Sequence, residues 1–220
     1  MFNTSEIEQQ VAEFLLQIKA IKLQPNNPFT WASGWKSPIY CDNRITLSHP
    51  TIRTYIRQQL TLLIQEVFGP VGCIAGVATA GIPQGVLVAQ DLGLPFIYVR
   101  SKPKDHGTGN LIEGDDLTGK RVVVIEDLIS TGKSSLQAVE ALRNAGYVVA
   151  GLAAIFSYGF DVADKNFKNA NCPFVTLSNY NALIKYAGEN QYIADADVEI
   201  LKQWRENPST WGQEAVGSEQ

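Results

Sequence analysis

Glu126 and Asp127 stand side by side in VVVIEDLISTGKSS, residues 122–135. Adjacent carboxylates can accept charge-assisted hydrogen bonds from sugar hydroxyls, each contributing about 1.5–3 kcal/mol. Leu128 and Ile129 then lead into Ser130, Thr131, Gly132, Lys133 and Ser134. Hydroxyls, a glycine that lets backbone come close and the free amides of a helix start make an anion cradle there. Carboxylates repel phosphate, so acids and cradle must serve different parts of one ligand. A phosphorylated sugar fits, with its hydroxyls on Glu126 and Asp127 and its phosphate over 130–134. Each half alone has a plainer reading. Two acids after a strand cap a helix and offset its dipole, and STGKSS suits an ordinary strand-to-helix turn. Only the combination points to a sugar phosphate. A Walker A loop is disfavoured, because its leading glycine falls at Asp127, where a carboxylate would repel a triphosphate.

A second stretch, VRSKPKDHGTGN, gathers Arg100, Lys102, Lys104 and His106 within seven residues of a chain whose net charge is −4. Gly107 and Gly109 suit a lid that opens and closes. Cations closing over a departing pyrophosphate stabilise charge that develops only in the transition state. A solvated charged loop is the alternative. The third stretch, GVATAGIPQG (76–85), offers small residues and Gly81 where backbone can approach a pyrophosphate, or else a tight turn before a helix. No Ser-His-Asp or Cys-His set is evident, and His49, just before Pro50, reads as a neighbour of a helix cap.

Such loops need a sheet to bring them together. Residues 71–78, 95–100, 121–127, 147–158 and 174–177 read as strands, apolar through most of their length. Helical periodicity predicts helices from Thr4 or Ser5 to about Ala20, after Pro50 to Gly69, and over 83–93, 133–144, 179–187 and 195–206. Residues 24–43, rich in Pro, Gly, Asn and aromatics, read as turns and short strands, and 101–114 as loop. Apolar strands separated by helices predict an α/β protein with a mostly parallel central sheet flanked by helices. The three suspicious loops then leave the carboxyl ends of strands, where such sheets bind ligands. We expect a single domain over 1–220. Its parts are a small N-terminal hood at about 1–45, a core at about 48–178, C-terminal helices at about 179–207 and a frayed tail at about 210–220.

Composition narrows the class. The chain is 45% hydrophobic and 18% charged, and its acidic balance gives no general grip on nucleic acid or an anionic membrane. Cys41, Cys73 and Cys172 are widely spaced with no CxxC, which suits a reducing compartment and argues against a disulfide framework or a zinc site. The start, MFNTSEIEQQ, lacks a signal peptide's apolar stretch, and no apolar run approaches the roughly 18 residues of a membrane span. The expectation is a cytoplasmic protein.

VVVIEDLISTGKSS resembles the 5-phosphoribosyl 1-pyrophosphate (PRPP) motif of type I phosphoribosyltransferases. FTWASGWKSPIYCDNR (29–44), with its SG-x-x-SP core, and the KDHG of Lys104–Gly107 resemble the orotate phosphoribosyltransferases among them. The resemblance covers about residues 5–190. It implies transfer of phosphoribosyl from PRPP to orotate, giving orotidine 5′-monophosphate and pyrophosphate in pyrimidine synthesis. Mg²⁺ would be bound through substrate with no direct protein ligand. A homodimer would share loop 101–113 across subunits, with no nucleic-acid or membrane partner. Glu126 and Asp127 would hold the ribose hydroxyls, with PRPP contacts running through Leu128, Ile129, Ser130, Thr131, Gly132, Lys133 and Ser134. Arg100, Lys104 and His106 would bind pyrophosphate, with Lys102 a further candidate, and Lys104, His106 and Asp127 would be catalytic. Orotate would meet Ser130, the backbone near Ile39 and Tyr40, and Lys36, which also reads as a surface lysine in a turn.

The chain departs from the pattern at four positions. Ser101 stands where many members have a basic residue, Ala32 and Ala80 where some have lysine, and Tyr158 where some have arginine. The partner of the orotate carboxylate is therefore not named by the resemblance. Two rivals share the fold: a transferase for a purine or uracil, and a PRPP-sensing regulator, which should carry a basic DNA-binding appendage.

Overall fold

The computed structural model describes residues 4–31, 33–102 and 110–212. The chain opens with helix α1 (Thr4–Gln17), whose Ile7, Val11 and Leu15 form the buried stripe. Four short strands follow: β1 (Ile21–Leu23), β2 (Phe29–Thr30), β3 (Lys36–Ser37) and β4 (Ile39–Cys41). β1 pairs antiparallel with β4, and β2 with β3. A 3-10 turn at Asn43–Ser48 leads into α2 (Pro50–Phe68), which starts on Pro50, where a missing N–H costs nothing.

The core then alternates: β5 (Cys73–Val77), α3 (Gly81–Leu92), β6 (Phe96–Val99), β7 (Ile112–Glu113), β8 (Arg121–Ile129), α4 (Lys133–Asn144), β9 (Val148–Ser157), α5 (Asp161–Asn169) and β10 (Phe174–Asn179). Helices α6 (Tyr180–Glu189) and α7 (Asp195–Glu206) follow. The sheet order is β10-β9-β8-β5-β6-β7, parallel throughout except for β7. β8 shows why: Val122 to Ile125 are completely buried, alternately on the two faces. Val123 and Ile125 pack with α1, α2, α3, α6 and α7, while Val122 and Val124 pack with α4 and α5. Burying each such side chain contributes about 1.5–3 kcal/mol. Among the described residues no helix is long and apolar enough to cross a membrane.

The structure departs from the sequence expectation in three places. Strand β8 does not stop at Asp127; Leu128 and Ile129 continue it, paired with Phe156 and Ser157 of β9. Residues 112–113, expected as loop, add β7 antiparallel to the sheet edge. Helix α5 forms where no element was expected: DVADKNFKN buries only Ala163 and Phe167, too sparse a pattern to reveal a nine-residue helix.

Candidate functional site

β8 divides the two acids. Glu126 turns toward α4 and is 5% exposed. Its Oε1 accepts from the Asp127 N–H at 3.0 Å and its Oε2 from Ser135 Oγ at 3.1 Å. Burial, then the neighbouring Asp127, push the Glu126 carboxyl well above its ordinary range. Asp127 is half-buried and faces the N-terminal segment. Burial raises its carboxyl too, and a hydrogen bond with the Glu126 side chain, then nearby Arg44, work against that rise. Arg44 is held in place by a fork to Asp42, with Nε–Oδ1 at 2.6 Å and Nη2–Oδ2 at 2.9 Å. Asp127 is thus the less enclosed carboxylate of the pair, while Glu126 is buried and accepts hydrogen bonds on both oxygens.

Beyond β8, Ser130 and Thr131 are half-buried and Lys133 and Ser134 exposed. Gly132 has φ +77°, and no side chain caps the start of α4. Its first-turn amides therefore face outward at the positive end of a helix dipole, the arrangement that binds phosphate. A Cβ at Gly132 would also lie 2.6 Å from Phe167 Cε2. Phe167 belongs to α5, and its neighbour Asn166 donates from Nδ2 to Thr131 O at 3.0 Å. The helix that sequence reasoning missed is therefore the brace of the phosphate-type loop.

The N-terminal segment is internally tied. Trp31 Nε1 and Ser37 Oγ both donate to Ile39 O, and the Ile39 N–H donates to Ser37 Oγ. Ile39 is buried with its backbone occupied, whereas the Tyr40 side chain is 40% exposed. Lys36 is exposed and donates to Thr30 Oγ1 at 2.9 Å. Two further ties reach across the molecule: Trp204 Nε1 donates to Lys36 O at 3.2 Å, and Asn43 Nδ2 to Asp127 O at 2.7 Å. Trp204 is completely buried, ringed by Trp31, Tyr158, Phe160 and Tyr180. Tyr158, just past the end of β9, is itself core, and the nearby cation is Arg205 of α7, whose Nη1 donates to Gly159 O at 2.7 Å. Asn43, Asn166 and Trp204 had no signal in the sequence, because each acts through one long-range hydrogen bond.

The third component is the stem of the basic loop. Arg100 directly follows β6, and its Nη1 lies 3.3 Å from Glu113 of β7. Lys102 is exposed. Lys104 and His106 fall outside the described residues, as does Ala32. A cleft of about 320 Å³ is lined by Ala78, Arg100, Ser101, Leu111, Ser134 and Gln137 among others, so stems of all three loops border one space. Asp127 and Ser130 are not part of that lining. Gly81 closes α3 onto β8: a Cβ there would collide with the Ile125 carbonyl. The Ala78–Thr79 peptide is cis.

A family model described as "Phosphoribosyl transferase domain" matches residues 54–187. The chain is 59% identical over 205 residues to the orotate phosphoribosyltransferase of Bacteroides thetaiotaomicron, covering 93% of this chain and 97% of that protein. Its structure is similar to that of orotate phosphoribosyltransferase from Aeropyrum pernix, with a TM-score of 0.72 at 27% identity over 84% of this chain and 99% of the other. It is also similar to Leishmania donovani UMP synthase, with a TM-score of 0.74 at 27% identity over 90% of this chain, which spans 42% of that protein. On this agreement of family model, relatives and fold, the chain belongs to the orotate phosphoribosyltransferase family.

Proposed function

We propose that this protein transfers the 5-phosphoribosyl group of PRPP to orotate, releasing pyrophosphate and forming orotidine 5′-monophosphate. The observation that carries the reading is the run of β8 into α4: a half-buried carboxylate, Asp127, followed by a loop whose helix start has no side-chain cap. Asp127 accepts the ribose hydroxyls, and the amides and hydroxyls of 130–134 hold the 5-phosphate. Glu126, buried and bonded to the Asp127 N–H, fixes the backbone beneath. Arg100, Lys102, Lys104 and His106 attract the pyrophosphate. Tyr40, Lys36 and Ser130 are placed to meet the base.

Breaking the C1–oxygen bond leaves positive charge on ribose and negative charge on pyrophosphate. The residues orient both ends and offset the second charge. Among the described residues no three His, Cys, Asp or Glu side chains converge on a metal position. One half-buried carboxylate, raised by burial, suits a Mg²⁺ ion carried by the substrate. When bound, that ion would neutralise leaving-group charge. In this reading the protein is cytoplasmic and works as a homodimer, with loop 101–113 closing over the neighbouring subunit's site.

Mixing the protein with orotate, PRPP and Mg²⁺ should deplete orotate absorbance and release pyrophosphate. Turnover of hypoxanthine or uracil with none of orotate would overturn the reading.

A further inference from the structure

We propose that Asn43 is a positioning residue for Asp127: its amide replaces a missing sheet partner and so fixes the direction of the ribose-facing carboxylate. The inference rests on Asp127 binding the ribose, as proposed above.

The need for such a donor follows from the sheet. β5 pairs with β8 from Cys73↔Val122 only as far as Gly76↔Ile125. Beyond Ile125 that edge of β8 has no strand beside it, and a part-buried carbonyl left without a donor is destabilising. Asn43 fills the gap, with Nδ2 donating to Asp127 O at 2.7 Å across 84 residues of sequence. Asn43 is 1% exposed, so its amide has no water to turn to.

The amide is itself held. Its Oδ1 accepts from Cys41 Sγ at 3.3 Å, and the Asn43 carbonyl accepts from Thr46 Oγ1 at 2.6 Å. Thr46 Oγ1 in turn accepts from Gln84 Nε2 of α3 at 3.2 Å. Thr46 and Gln84 are both buried. A relay thus runs from α3 through the 3-10 turn to the backbone of the acid. The Asn43 amide reaches the backbone carbonyl of Asp127, so Asn43 acts through Asp127.

PRPP binding by calorimetry to the full-length protein, in wild type, Asn43→Ala, Asp127→Asn and the double variant, tests this. We expect Asn43→Ala to weaken PRPP binding about tenfold, the size of one lost hydrogen bond of this kind. In the Asp127→Asn background the same change should cost less than about twofold, because there is no carboxylate left to aim. Equal losses in both backgrounds, or none in wild type, would overturn the inference and leave the ribose role of Asp127 standing. Unchanged affinity in Asp127→Asn alone would overturn that role, and the inference with it. Should Asn43→Ala not fold, Thr46→Val carries the same test, since it keeps the amide and removes the hydroxyl that steadies it. A loss confined to the Asp127 background supports the proposal; equal loss in both, or none, overturns it.

Discussion

At the scale of residues, two adjacent carboxylates of the same chemistry have been given different environments. Glu126 is enclosed and Asp127 is half-buried. A carboxyl raised by burial costs nothing while protonated and destabilises the fold once it must ionise. Glu126 ordinarily titrates near 4.5 and is pushed well above that. Stability should therefore fall as pH rises from the ordinary carboxylate range through the raised value, and Asp127, raised in the same direction, adds to the slope. Glu126→Gln should flatten this slope: in thermal melts, the difference between variant and wild type should shift in the variant's favour as pH climbs. A constant difference across the series would contradict the raised value. Glu126 and Asp127 were legible as a motif from their position after four apolar strand residues. Their division of labour was not, because it depends on Ser135 and Asn43, which the fold brings to opposite sides of β8.

At the scale of elements, the periodic strands and long helices were legible because each carries a buried stripe or an apolar run, as in β5, β8, α2 and α4. α5 was not, having only two buried side chains, yet it braces the phosphate-type loop through Phe167 and Asn166. Gly132→Ala imposes a side chain at positive φ and against Phe167. We expect a loss of about 1–3 kcal/mol in urea unfolding, together with weakened PRPP binding. Substitution by alanine with neither effect would show that the loop can move away from α5. The last described helix, which bore no recognisable motif, ties Trp204 to the N-terminal segment at Lys36. Trp204→Phe keeps most of the packing and loses the bond to Lys36 O. It should raise KM for orotate more than KM for PRPP in steady-state assays. Trp204→Ala should cost about 3–5 kcal/mol of stability.

At the scale of the whole molecule, the parallel sheet places one strand-end loop from each of β5, β6 and β8 on the same side. The proposed phosphoribosyl half of the site could be argued from the residues for that reason: they are close in sequence, and topology does the rest. The proposed base half rests on a resemblance alone, because the segment that would form it is tied to a helix far along the chain. The lid has its own test. Lys104→Ala should lower kcat more than it changes KM for PRPP if the lysine engages chiefly on closure. An unaltered kcat would remove the lid from the chemistry.

The bond between Trp204 and Lys36 spans 168 residues. On the proposed function, the ribose-phosphate side of the site is drawn from residues close together in the chain, while the segment proposed to meet the pyrimidine is pinned by a helix made much later in synthesis. A ribosome-bound chain ending before Asp195 would then be expected to hold PRPP-type ligands before it can hold the base.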